Sequence, residues 1–239
     1  MKSPSRQLLS LPEQIAERIF SAIAAGDYAP GDRIREEALA EQFEVSRGPV
    51  REALRILERD AVVRIQPNRG AHVTQLSTKE VSDIFQIRGD LIGAVVRRLA
   101  EPESAFLADI NARVCELETL AKDPAAAEDY LAASYALGVW LAGRSGNDRL
   151  AEIFGSLARQ TRRYSQLGLA SAARRRESAR TWRRMLQALE AGDADVAAVA
   201  VERLVAASRQ EAVRHLEAAG AAAPQPAGQP QVNSAKAIQ

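Results

Sequence analysis

Residues 45–55 read VSRGPVREALR, and the reading of the whole chain begins with this stretch. Arginines stand at positions 47, 51 and 55, four apart, and Arg59 continues the row. A helix from 47 to 60 puts Val50, Leu54 and Leu57 on one side, facing a small core. The arginines run along the neighbouring side, drifting about 40° per step because four residues overshoot a 3.6-residue turn. Ser46 is of the type that caps a helix by accepting from its free backbone N–H groups. Gly48 and Pro49 then fall in the first turn, where proline lacks only an N–H that has no partner anyway.

Working outward, REEALAEQFE predicts a short helix over 36–43 that turns Leu39, Ala40 and Phe43 inward, with EVS as the turn into the next helix. Before it, residues 8–25 place Leu11, Ile15, Ile19 and Ile23 four apart, a helical stripe ended by Gly26 and the turn DYAPGD. After it, VVRIQPNRGAHVTQL alternates, breaks at Pro67-Asn68-Arg69-Gly70 and alternates again, which is a hairpin with a glycine-bearing tip. Helix, helix–turn–helix and hairpin in this order describe a winged helix-turn-helix over residues 1–75.

The amino end of the second helix of such a unit meets base edges in the major groove. A guanidinium there donates two bonds to guanine O6 and N7. On this reading Arg47 and Arg51 face outward and unpaired, ready for bases. Ser46, the first-turn amides and Arg55 suit phosphates. Charge supports a local patch: the chain carries only +1, and residues 1–75 hold 11 basic and 11 acidic residues. Residues 47–69, by contrast, set six arginines against three acids, a local +3.

Beyond Thr78 strand signals cease. Helices are expected over 79–100, 103–122, 124–142, 147–169, 172–191 and 194–218, an all-α bundle spanning 79–218. The tail, 219–239, is rich in Pro, Gln and Ala and predicts disorder. The single cysteine, Cys115, excludes a disulfide framework and reads as a buried apolar residue. With no signal-peptide pattern and no stretch of about 18 apolar residues, the chain reads as soluble and cytoplasmic, without a membrane partner. No nucleophile–base pair, metal set or glycine-rich phosphate loop suggests an enzyme.

The segment PGDRIREEALAEQFEVSRGPVREALRILERDAVVRIQPNRGAHV resembles the DNA-binding domain of the GntR superfamily of transcriptional regulators almost end to end. The matching pieces are the PG turn, LAEQFEVSR, PVREAL and the NRG wing tip. The resemblance implies that Arg47 and Arg51 read bases, with Ser46 and Gly48 at the start of the helix. Arg69 and Gly70 would lie over the minor groove or its phosphates, and Arg35 and Glu36 are phosphate and positioning residues. Gly48 stands where many relatives carry a hydroxyl. Ala61 replaces the usual glycine after the recognition helix, a change expected to tighten that loop.

The remainder resembles the FadR-type carboxy-terminal domain, FCD, through IFQIRGDLIGAVVRRLA, SGN at 145–147 and LQALEAGDADVAAVAVERL. That resemblance implies a homodimer on a palindromic double-stranded operator, acting as a repressor that responds to a small organic acid. Many relatives hold a divalent metal with one Asp and three His. Here the corresponding positions are Ser134, Gly138, Trp182 and Leu204, and the only histidines are His72 and His215, so no metal is expected. The effector pocket is assigned to Arg88, Ser134, Tyr135, Gly138 and Trp182. Arg88 matches a family arginine suited to clamping a carboxylate, and the Trp182 indole is expected to fill the space left by Gly138. Two outcomes stay open: a plugged core, or a drier aromatic pocket. A bland alternative pairs Arg88 with an internal acid and makes Trp182 ordinary core. The arginines at 159, 162, 163, 174–176, 180, 183 and 184 read as solvated helix faces. The alternative function is an effector-independent architectural protein whose helical domain only dimerises.

Overall fold

A computed structural model describes residues 9–100 and 102–222. Helix α1 (Leu11–Ala25) begins at a capping box in which Ser10 and Glu13 satisfy each other's backbone N–H groups, and ends at Gly26 with φ +96°. A two-residue strand β1 (Arg33–Ile34) precedes α2 (Glu36–Gln42), α3 (Arg47–Arg59), β2 (Val63–Gln66) and β3 (Gly70–Val73). The sheet is antiparallel in the order β1-β3-β2, with Ala71 opposite both Ile34 and Ile65. Ile34, Val63, Ala71 and Val73 close one core with Ile15, Ile19, Val50, Leu54 and Leu57. The winged helix-turn-helix is therefore present, with a third strand that the sequence did not suggest.

Among the described residues seven helices follow: α4 (Thr78–Arg97), α5 (Ser104–Leu120), α6 (Ala127–Gly143), α7 (Asp148–Gln160), α8 (Arg162–Gly168), α9 (Ala172–Glu190) and α10 (Ala194–Ala222). They enclose a second core around Phe85, Leu117, Tyr130, Leu141, Trp182 and Met185, with α10 laid along α4 and α9. Among the described residues no helix is long and apolar enough to cross a membrane.

Several expectations need correction. The helix expected over 147–169 is two helices. They part at Thr161, whose fully buried hydroxyl donates to the Leu157 carbonyl at 2.8 Å, a back-bond that bends helices. Helix α10 runs to Ala222, past the expected end at 218, so the tail cannot begin at 219; residues 223–239 lie outside the described residues. Cys115 is exposed rather than buried.

The two cores meet across α8 and the helix that precedes it. Arg159 donates to Glu17 at 2.5 Å and lies 3.4 Å from Asp60. Arg163 donates to the Tyr28 carbonyl at 2.7 Å, and Gln166 to the Ala24 carbonyl at 2.6 Å. Tyr135 packs against both cores, its ring 6.3 Å from Phe20 on α1. The arginine run is thus only partly solvated. Arg175 is buried and donates to the carbonyls of Leu169, Ala170 and Pro124, while Arg183 binds Glu118.

Candidate nucleic-acid interface and bundle cavity

Helix α3 is held by its apolar side, where Val50, Ala53, Leu54 and Leu57 are at most 1% exposed. The turn that aims it closes α2 in a Schellman motif. The Val45 N–H reaches the Ala40 carbonyl, the Glu44 N–H reaches that of Glu41, and Glu44 takes φ +54°. The same motif closes α3 through Val62 and Ala61, with Ala61 at φ +53°. This explains the family glycine there: Ala61 occupies a left-handed conformation that glycine adopts without cost. The wing tip turns at Pro67-Asn68, where the Arg69 N–H bonds to Gln66 O at 3.1 Å and Asn68 takes φ +62°, the pattern of a type II turn.

Ser46, Arg47, Gly48, Arg51 and Arg55 are all exposed along one side of α3, as is Arg69 at the wing tip. Gly70, beside it at φ +83°, is half-buried under the Arg33 guanidinium. Two details differ from expectation. Ser46 occupies the N-cap position with extended backbone, but its side chain makes no capping bond. Arg47 and Arg51 point outward, yet they are not unpaired. Arg47 forms an ion pair with Glu37, and Arg51 donates to Glu36 at 3.0 and 3.4 Å. Donating to the Glu36 carboxylate raises the Arg51 pKa above its ordinary value. Both arginine side chains remain more than half exposed, at 51% and 56%. Exposed pairs of this kind are weak in water and exchange readily. Arg55 lies 3.8 Å from Glu52. Arg35, at the N-cap of α2, is exposed, and Glu36 follows it in the first turn.

The second site lies inside the bundle. A cavity of about 60 Å³ is lined by Arg88, Ser134, Tyr135, Gly138 and Trp182, which the structure brings together from α4, α6 and α9. Leu204 lines it too, so all four positions that the resemblance assigns to a metal converge here. They offer one hydroxyl, a glycine, an indole and an alkyl chain, a set that does not fit a divalent cation. The Trp182 indole donates to Ser134 Oγ at 3.2 Å. The ring against Gly138 is that of Phe154, 3.5 Å from where a Cβ would sit, so Phe154 and not Trp182 takes that space.

Arg88 does not pair with an internal acid. Its Nη1 donates to Thr161 Oγ1 at 2.5 Å, with Ser165 Oγ at 3.5 Å, and its guanidinium lies 5.0 Å from the Phe85 ring. Its Nε is buried without a partner. Burial lowers its pKa to about 10, with neighbouring Arg162 pushing the same way. Arg162 also lines the cavity, over the Tyr135 ring at 5.2 Å, with its Nη1 buried and unpartnered and its pKa lowered by burial. No Asp or Glu lines the cavity among the described residues. Sequence reasoning missed Arg162 because it sits in a run of arginines that looked solvated. The break at Thr161 turns it inward.

Comparison with known proteins agrees with both halves. Residues 11–73 match the family of bacterial regulatory proteins, gntR family, and residues 83–217 match the FCD domain. Over 88 residues the chain is 38% identical to the HTH-type transcriptional regulator YdhC of Bacillus subtilis, covering 37% of this chain and 38% of that one. It is 31% identical over 104 residues to the gluconate operon transcriptional repressor of the same organism, covering 44% and 42%. These matches therefore span well under two thirds of the relatives' own lengths. E. coli McbR/YncC shares the fold at a TM-score of 0.73 and 22% identity, over 89% of this chain and 100% of that one. The two family matches define a helix-turn-helix regulator, a class of transcription regulators and not of enzymes. The chain belongs to the GntR family of transcriptional regulators and carries the FCD type of helical domain.

Proposed function

We propose that the chain is a sequence-specific DNA-binding repressor that grips a palindromic operator as a homodimer and responds to a small organic acid. The observation that carries the DNA half is the row of exposed arginines at the start of α3, set on an apolar face that fixes its aim. Arg47 and Arg51 exchange Glu37 and Glu36 for guanine edges. Ser46, Gly48 and Arg55 line phosphates, while Arg35 and Glu36 support them from α2. Arg69 and Gly70 carry the wing onto the minor groove. That the similar gluconate operon protein of Bacillus subtilis is a transcriptional repressor supports repression as the sign of control. The test is footprinting on the intergenic region beside the gene, followed by Arg51→Ala on the site found. Operator affinity is expected to fall about five- to a hundredfold, with little change on random DNA. Equal loss on both contradicts base reading.

The cavity supports an effector, because two guanidinium groups share it without a carboxylate. The competing reading is an effector-independent DNA-bound protein, and the observation favouring it is the small residual volume beside Trp182. Carboxylate-dependent release of operator in a mobility-shift assay separates the two.

A further inference from the structure

The short helix α8 faces two ways. On its inner side, Arg88 donates to Thr161 at its start, and Arg162 and Ser165 line the cavity. On its outer side, Arg163 and Gln166 donate to the Tyr28 and Ala24 carbonyls just at and beyond the end of α1. Tyr164 Oη accepts from the Leu76 N–H, on the segment between the wing and α4, at 3.2 Å. Gly168 fixes the far end: a Cβ there would sit 2.7 Å from the Ser208 carbonyl on α10, so that end of α8 has no room to shift sideways. A seven-residue helix with one end clamped transmits displacement of its other end.

Resting on the reading of the cavity as an effector site, we infer that a short-chain monocarboxylate binds between Arg88 and Arg162 and that α8 conveys its arrival to the DNA-binding unit. The ligand class follows from the lining. Two cations with unpartnered N–H groups want one anion, and the Ser134 hydroxyl, which accepts from Trp182 and keeps its own proton, suits its second oxygen. The volume of about 60 Å³ is well below the roughly 150 Å³ that admits benzene, which limits the tail to a carbon or two. The exchange is favourable in kind. The Thr161 hydroxyl has already given its proton to Leu157, so it offers Arg88 a neutral acceptor. A carboxylate offers a charge-assisted bond about twice as strong. Arg88 thereby leaves the α7–α8 break, Arg162 turns towards the anion, and the start of α8 moves with the hydrogen bonds it makes to α1 and the linker. A ligand shifts an equilibrium only through different contacts in the two states, and these two arginines supply that difference.

The experiment uses the full chain with the sodium salts of formate, acetate and benzoate, against sodium chloride at equal ionic strength. Binding is read by thermal shift and by Trp182 emission in a Trp140→Phe background; coupling is read as operator affinity with and without salt. In the wild type, formate or acetate is expected to raise the melting temperature, benzoate is not, and operator affinity changes at least fivefold. The double variant Arg163→Ala, Gln166→Ala leaves the cavity lining intact. It is expected to bind the carboxylate within twofold of wild type while operator affinity no longer responds. Should that variant fail to fold, Tyr164→Phe, which deletes only the hydroxyl, is expected to weaken the response at unchanged carboxylate binding. No binding of any short carboxylate to the wild type overturns the effector reading itself. Binding with a full DNA response in the variants overturns the α8 inference alone, and so does binding that leaves wild-type operator affinity unchanged.

Discussion

Arg47 and Arg51 on α3 stand in solvent and each keeps a carboxylate, Glu37 or Glu36, whereas Arg88 and Arg162 sit against a bundle cavity that no carboxylate lines among the described residues. The arrangement reverses what stability alone would ask, since a charge in water needs little help and a buried one needs a partner. The difference is informative about function. On the surface, the acids hold the guanidinium groups in reach of a groove and let go at little cost. In the cavity that deficit is left standing. On the function proposed above, both sites serve anions: the surface row takes a polyanion that comes from outside, and the cavity a small ion that is enclosed.

The contrast breaks most visibly on DNA. Replacing Arg47 and Arg51 together by Ala is expected to lower operator affinity by about a hundredfold or more, two base-reading contacts being lost at once. Anisotropy titrations on operator and scrambled duplexes check this, and a matching loss on scrambled DNA would make the pair a mere phosphate contact. Next in size, Arg88→Met removes a charge that burial opposes. Chemical denaturation is expected to show a gain of about 1–2 kcal/mol, with any carboxylate response abolished. A loss of similar size would mean that the Thr161 bond and the Phe85 stacking outweigh desolvation. The backbone gives a smaller and independent comparison. The α3 cap uses Ala61 at φ +53° where the α9 cap uses Gly192 at φ +75°. Ala61→Gly is therefore expected to stabilise by about 0.5–1 kcal/mol, and Gly192→Ala to destabilise by about as much or more. Smallest of all, Glu36→Gln frees Arg51 and removes a negative charge from the DNA-facing side. Affinity for random DNA is expected to rise about twofold and the operator-to-random ratio to fall.

Much of the fold was legible because its punctuation is chemical. Pro30-Gly31, Pro67-Asn68 and Gly192 mark turns whose backbone only a few residue types adopt, and Val50, Leu54 and Leu57 repeat at helical spacing. Strand β1 was hidden because two residues cannot display alternation. The break at Thr161 was hidden because no Gly or Pro marks it; a buried threonine hydroxyl bonded four residues back does the work. That break also explains why Arg162 escaped notice, since its inward direction depends on a bend the local sequence does not announce. The ion pairs of Arg47 and Arg51 join residues 10 and 15 apart across the turn, a tertiary consequence of how α2 crosses α3. The convergence of Ser134, Gly138, Trp182 and Leu204 on one cavity follows from three helices packing, and spacing alone could only suggest it.

The most direct measurement is a crystal structure of the chain on its footprinted operator. Arg47 and Arg51 should have left Glu37 and Glu36, with their guanidinium nitrogens about 3 Å from guanine O6 and N7 in the major groove. Side chains still bound to those glutamates, or turned to phosphates while other residues touch the bases, would contradict the account.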